Sequence, residues 1–185
     1  MNLVIVINGS GGVGKDTFVS TCKEILKKYN IEVHNYSTIS IVKHIMKRHM
    51  SWNHSKTEKD RKFMSDFKKL LKDYNDIPFN DVTYYINANI ETSKNKVFFV
   101  HTREPEEIQE FVDYYNEYGI DIFTILITRP NYEILSNESD KNVNNFNYDY
   151  VIDNNKTIKK LNQQSKIFSN TIINKFIENE DVNNI

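Results

Sequence analysis

Residues 9–17 read Gly9-Ser10-Gly11-Gly12-Val13-Gly14-Lys15-Asp16-Thr17, directly after the apolar run 3–7 and at the head of a helical pattern that reaches about Tyr29. Strand, glycine loop and helix in that order fit the template G-x-x-x-x-G-K-[ST] from Gly9 through Lys15. Such a loop turns successive backbone N–H groups toward one point, and the helix N-terminus adds positive potential there. A side chain would hold the backbone away from a phosphate, and Gly11, Gly12 and Gly14 can take positive φ cheaply. Four of the chain's five glycines stand in this stretch. The pattern implies a polyphosphate ligand.

One position departs from the template: Asp16 stands where a Ser or Thr hydroxyl ordinarily binds Mg²⁺, and Thr17 follows it. A carboxylate is a good hard ligand for Mg²⁺, directly or through a water. Asp16 and Thr17 are therefore candidate metal residues. An acid in the first turn of a helix also complements the helix dipole, and the sequence leaves both roles open.

With 185 residues, of which 39% are hydrophobic, the chain can bury one real core and carry an insert, but not a second full domain. A net charge of −1, with cations spread along helical stretches, gives no footprint for a nucleic acid polymer. No apolar run approaches membrane-spanning length, and the chain opens directly on a strand, so the expectation is a cytoplasmic protein with no membrane partner, monomeric or homodimeric. The single cysteine, Cys22, excludes an intrachain disulfide and reads as core packing. Arginine appears four times in this lysine-rich chain, at positions 48, 61, 103 and 129. Where it persists, its planar two-pronged guanidinium is a candidate for a specific task.

Taken in order, residues 3–8 have the continuous apolar character of a central parallel strand. The helix after Lys15 places Phe18, Val19, Cys22, Ile25, Leu26 and Tyr29 on one face. A second strand at 31–36 precedes a helical pattern from Ser37, where Ser37, Thr38 and Ser40 stand at a strand's carboxyl end and can line a site or cap the helix. Two further helices, about 56–74 and 80–92, are separated by a break at Pro78. The third strand, 96–102, ends on His101-Thr102-Arg103, without the Asp that organises Mg²⁺ in many enzymes with such a loop. His101 reads as a packing or hydrogen-bonding residue, and Glu104, Glu106 and Glu107 as first-turn acids. A fourth strand, 121–128, leads into Arg129-Pro130, and the pattern then fails over 131–147, too long for an ordinary connection. A fifth strand at 148–153 and a C-terminal helix, about 158–178, complete an α/β chain: a five-stranded parallel sheet with helices on both faces. Right-handed crossovers put the glycine loop, Ser37, Arg103 and Arg129 along one carboxyl edge.

The Gly-Lys-Asp-Thr loop resembles those of bacteriophage deoxynucleoside monophosphate kinases and animal-type phosphomevalonate kinase, both in the nucleoside monophosphate kinase branch of P-loop proteins. The resemblance continues in residues 100–107, Val-His-Thr-Arg-Glu-Pro-Glu-Glu, and through Ser139-Asp140 to residues 148–154. It implies a single P-loop kinase-like domain over 1–185, with a helical acceptor-binding insert at about 38–93 and a lid at about 129–148. It also implies that Asn154 and Asn155 lie near the base of ATP, and that Lys43, Arg48 and Arg61 are candidates to hold an acceptor's phosphate, with Ser37 a candidate to line the acceptor site.

The expected activity is ATP-dependent phosphoryl transfer to a small phosphorylated acceptor, a nucleoside or deoxynucleoside monophosphate, with ATP and Mg²⁺ as cofactors. A phosphate acceptor is already ionised and needs no general base, and the sequence offers no convincing one. Lys15 would bridge the β- and γ-phosphates, while Arg103 and Arg129 would neutralise charge on the transferred group. The alternatives are a phosphomevalonate-type or other small-metabolite kinase, and a catalytically silent nucleotide-binding module, which the missing strand-end Asp favours.

Overall fold

The computed structural model describes residues 1–55, 57–90, 94–129 and 142–183, with side chains to 178. It divides into two compact units, 1–35 with 90–185, and 36–89.

The first unit is built on a five-stranded parallel sheet in the order β2-β3-β1-β4-β5. The strands are β1 (Asn2–Asn8), β2 (Ile31–Ser37), β3 (Asn95–His101), β4 (Asp121–Thr128) and β5 (Tyr150–Asp153). β1 is central, pairing with β3 from Asn2↔Lys96 to Ile7↔His101 and with β4 from Leu3↔Asp121 to Asn8↔Leu126. Covered on both faces, residues 3–7 are completely buried, which is why the strand reads as an unbroken apolar run. Leu3, Ile5 and Ile7 point to one side, where α1 (Lys15–Leu26) brings Phe18, Val19, Cys22 and Leu26. The C-terminal helix (Ile158–Asn183) adds Leu161, Phe168, Ile172, Ile173 and Phe176 to the same cluster. On the other side lies the helix Pro105–Glu117, with Ile108, Phe111 and Tyr115 fully buried. Each such large apolar side chain contributes about 1.5–3 kcal/mol by leaving water. Burial also pushes the Cys22 thiol up to about 12, so it stays protonated and serves as packing.

The second unit is helical: α2 (Ser40–His49), α3 (Glu58–Asn75) and α4 (Ile77–Asn89). Continuing the chain-order numbering, the helix Pro105–Glu117 is α5 and the C-terminal helix α6. Val42 and Met46 of α2 pack with Met64 of α3, and Trp52, Phe67 and Leu71 close over them. Thr57 opens α3 with a capping box: its Oγ1 accepts from Asp60 N at 3.2 Å and Asp60 Oδ2 accepts from Thr57 N at 3.0 Å.

Several boundaries differ from the sequence expectation for physical reasons. β2 continues through Ser37, so neither Ser37 nor Thr38 caps α2; Ser37 Oγ accepts from Ile39 N at 3.4 Å and the helix starts at Ser40. Pro78 does not break the chain before α4 but sits in its first turn, where the missing N–H costs nothing. The lid expected at about 129–148 falls over residues 130–141 outside the described residues. After it, Asn142–Asn144 form a short 3₁₀ turn with Val143 buried. Among the described residues no helix is long and apolar enough to cross a membrane.

Candidate functional site

The carboxyl ends of β1, β3 and β4 carry the glycine loop, Arg103 and Arg129 to one edge of the sheet. Asn154 ties the loop to the end of β4. Asn154, 7% exposed, donates from Nδ2 to the Val13 carbonyl at 2.8 Å, and its own N–H bonds Thr128 O at 2.8 Å. Gly14 then starts α1 in the left-handed region, φ 103°, and a Cβ there would lie 2.7 Å from Asn154 Nδ2. Gly9 and Gly12 share the positive-φ region; Gly11, expected there too, does not. Lys15 Nζ donates to the carbonyls of Gly9 and of Ser10, the latter at 2.8 Å. The ammonium therefore spans the loop it would serve. With the α1 N-terminus directly behind it, this arrangement fits an anionic polyphosphate.

Asp16 is exposed in the first turn of α1 and Thr17 half-buried beside it. Among the described residues no three His, Cys, Asp or Glu side chains gather into a metal-holding group. One carboxylate or hydroxyl next to a phosphate cradle still suits Mg²⁺, which keeps several waters and takes much of its shell from substrate oxygens.

Four polar residues anchor this edge. Asn8 is fully buried. Its Oδ1 accepts from Gly9 N at 2.7 Å, and its Nδ2 donates to Arg103 O at 3.0 Å and to Tyr148 Oη at 2.7 Å. Thr102 is buried and donates from Oγ1 to the Glu107 carboxylate. Glu107, read from sequence as a first-turn acid, is thus only 4% exposed and tied to the end of β3. His101 Nε2 lies 2.7 Å from Asn35 Oδ1, as expected of a residue that bonds within the sheet.

The remaining sequence candidates scatter. Asn155 is exposed after β5, its N–H bonded to Asp153 Oδ1 at 3.0 Å. Arg48 is exposed in the last turn of α2 and Arg61 is exposed on α3. Lys43 instead lines a hollow in the helical unit together with His44, Lys47, Trp52 and His54. Asn8, Tyr148, Glu107 and this hollow were missed in the sequence. A polar residue closing an apolar strand, and the chain's single Trp in a polar stretch, were the available signals.

The parallel 2-3-1-4-5 sheet and its glycine loop define the fold of the P-loop kinases. Comparison with known protein families and with curated protein sequences finds no match. Solved structures are similar at the level of the fold. The Mycobacterium tuberculosis APS kinase CysC, in complex with AMPPNP and APS, aligns with a TM-score of 0.51 at 13% identity over 88% of this chain and 94% of its own. APE1195 aligns with a TM-score of 0.51 at 16% identity over 93% of this chain and 96% of its own.

Proposed function

We propose that this chain transfers the γ-phosphoryl group of ATP to a small phosphorylated acceptor, a nucleoside or deoxynucleoside monophosphate. The observation that supports the reading is that the glycine loop with its Lys15 and the two arginines follow the carboxyl ends of the neighbouring strands β1, β3 and β4. In phosphoryl transfer the protein chiefly positions the reactants and neutralises charge. Lys15 would hold β- and γ-phosphate oxygens, Arg103 and Arg129 would engage the transferred group, and Asp16 or Thr17 would hold Mg²⁺. When bound, that ion draws donor oxygens together and offsets their charge.

Two side chains near the site that could serve as general bases are already engaged: His101 with Asn35, and Glu107 with Thr102. This suits an acceptor whose attacking oxygen is ionised beforehand. Asn154, whose amide is committed to Val13, would support the loop, leaving Asn155 as the candidate to meet the base of ATP. In the helical unit, Lys43 and Lys47 stand one turn apart beside the Trp52 ring, a pairing of positive charge and aromatic surface that suits a phosphate-bearing ring compound. Ser37, Arg48 and Arg61 remain acceptor candidates outside the lining of this hollow. The APS kinase complexed with AMPPNP and APS supports the reading by analogy of fold alone.

Nucleoside monophosphates, their deoxy forms and phosphomevalonate, each supplied with ATP and Mg²⁺ and followed by ADP release, test the proposal. Acceptor-dependent ADP release with a nucleoside monophosphate is expected. Release with phosphomevalonate alone would move the chain to the small-metabolite kinases. ATP binding without release for any acceptor would favour the silent module, which the absence of an Asp at the end of β3 supports.

A further inference from the structure

We infer that Asn8 and Tyr148 are positioning residues, fixing Arg103 against the phosphate loop so that its guanidinium meets the third phosphate of a bound nucleotide. The inference rests on the reading that residues 9–17 bind ATP. It starts from where the ladder between β1 and β3 stops. The last pair is Ile7↔His101, and Arg103 lies two residues beyond it. The Asn8 carboxamide carries the connection onward, from Nδ2 to the Arg103 carbonyl at 3.0 Å. The same carboxamide accepts the Gly9 N–H at 2.7 Å, so one planar group joins the first residue of the loop to the backbone of the arginine.

The orientation of that group is fixed by chemistry. Gly9 N–H can only donate, so it must meet Oδ1, and the Arg103 carbonyl can only accept, so it must meet Nδ2. The second Nδ2 proton goes to Tyr148 Oη at 2.7 Å, and the Tyr148 hydroxyl passes its own proton to Val143 O at 2.8 Å. Burial pushes the Tyr148 hydroxyl up to about 12, so this proton is present throughout the neutral range. The chain Asn8→Tyr148→Val143 therefore has one direction and leaves no spare proton. Asn8 has no exposed surface, and a buried network of this kind holds its members rigidly only when every member is satisfied. Removing the Tyr148 hydroxyl leaves one Nδ2 proton without an acceptor and takes away one of the three bonds that hold the amide, while the ring still fills its place. Arg103 then loses its fixed departure point from the sheet edge.

Calorimetric titration with ATP and with ADP separates this role from simple support of the fold. The wild-type chain should bind ATP more tightly than ADP, and Arg103→Ala should reduce that preference. Tyr148→Phe should reduce it about three- to tenfold, with ADP affinity changed less than about twofold. Asn8→Ser, which keeps an acceptor for Gly9 N–H but loses both amide protons, should act in the same direction. In the Arg103→Ala background, Tyr148→Phe should have no further effect on the ATP-to-ADP ratio, because both changes remove the same interaction. A Tyr148→Phe protein of lower melting temperature with an unchanged ratio would overturn the inference. So would a wild type with no preference for ATP, or a Tyr148→Phe effect that persists undiminished without Arg103. A wild-type chain that binds neither nucleotide would instead remove the loop reading itself, a result distinct from all of these.

Discussion

Gly14→Ala is the substitution whose cost the structure specifies most closely, because Gly12→Ala provides its control. Both glycines have positive φ, 103° and 79°, so an alanine at either pays a left-handed backbone penalty of about 1–2 kcal/mol. Gly12 has nothing within 4 Å of a built Cβ, and its cost ends there. At Gly14 the Cβ would stand 2.7 Å from Asn154 Nδ2 and 3.1 Å from Leu161 Cδ2. Asn154 must then retreat and surrender its 2.8 Å bond to Val13 O in a buried setting, an added loss of about 1–3 kcal/mol. For a chain of 185 residues, about 2–4 °C in Tm corresponds to each kcal/mol, so Gly14→Ala should melt roughly 2–12 °C below Gly12→Ala. Thermal scans by far-ultraviolet circular dichroism measure the gap. Combining Gly14→Ala with Asn154→Ala should give a loss smaller than the sum of the two, since the second change removes the obstacle. Equal melting losses for the two glycine variants, or additive losses in the double variant, would refute the packing argument.

Arg129→Lys replaces a two-pronged donor by a point charge, so turnover should fall about tenfold for each 1.4 kcal/mol of lost transition-state contact while ATP affinity holds. Steady-state kinetics with an accepted substrate decide it, and unchanged turnover would assign the charge to Arg103 alone. Asp16→Ala should shift the Mg²⁺ dependence of turnover more than the melting temperature, because Asp16 is exposed and makes little packing contribution; an unchanged Mg²⁺ response would leave it a first-turn acid. His34, stacked on Phe98 at 4.8 Å, is held below its usual 6.5 mainly by burial, against the pull of Glu32 and with the help of Lys96. The unfolded chain therefore takes up this proton first. Stability should fall as pH drops below about 6.5 and level off below the folded-state value, and His34→Phe should flatten that part of the urea-midpoint profile.

The sheet and its covering helices were legible because burial writes itself into spacing. Phe18, Val19, Cys22 and Leu26 repeat with the helical period, and all four lie in the core. Residues 3–7 are apolar without interruption because both sides of β1 are covered. The glycine loop was legible because its spacing is tied to backbone geometry. Asn8 was not, since what makes it special is a pair of partners 95 and 140 positions away. Glu107 carried the local signature of a dipole-complementing acid, and only its tertiary contact with Thr102 distinguishes it from Glu106, which is exposed. Ser37 and Thr38 are good capping types, yet the extension of β2 through Ser37 uses the chain before a cap can form. The hollow around Trp52 escaped notice for a related reason. The segment before α3 has no period, and its shape comes from Trp52 Nε1 donating to Ser55 O at 3.1 Å and from left-handed backbone at Ser51 and His54.

The account turns on the loop at 9–17 as a polyphosphate site. Its most direct test is calorimetric titration of the folded chain with ATP and ADP, alongside a Lys15→Ala variant shown to retain the fold. Saturable binding of both nucleotides by the wild type, weakened by at least about tenfold in Lys15→Ala, is the predicted result. No binding by the wild type, or equal binding by the two proteins, would contradict it.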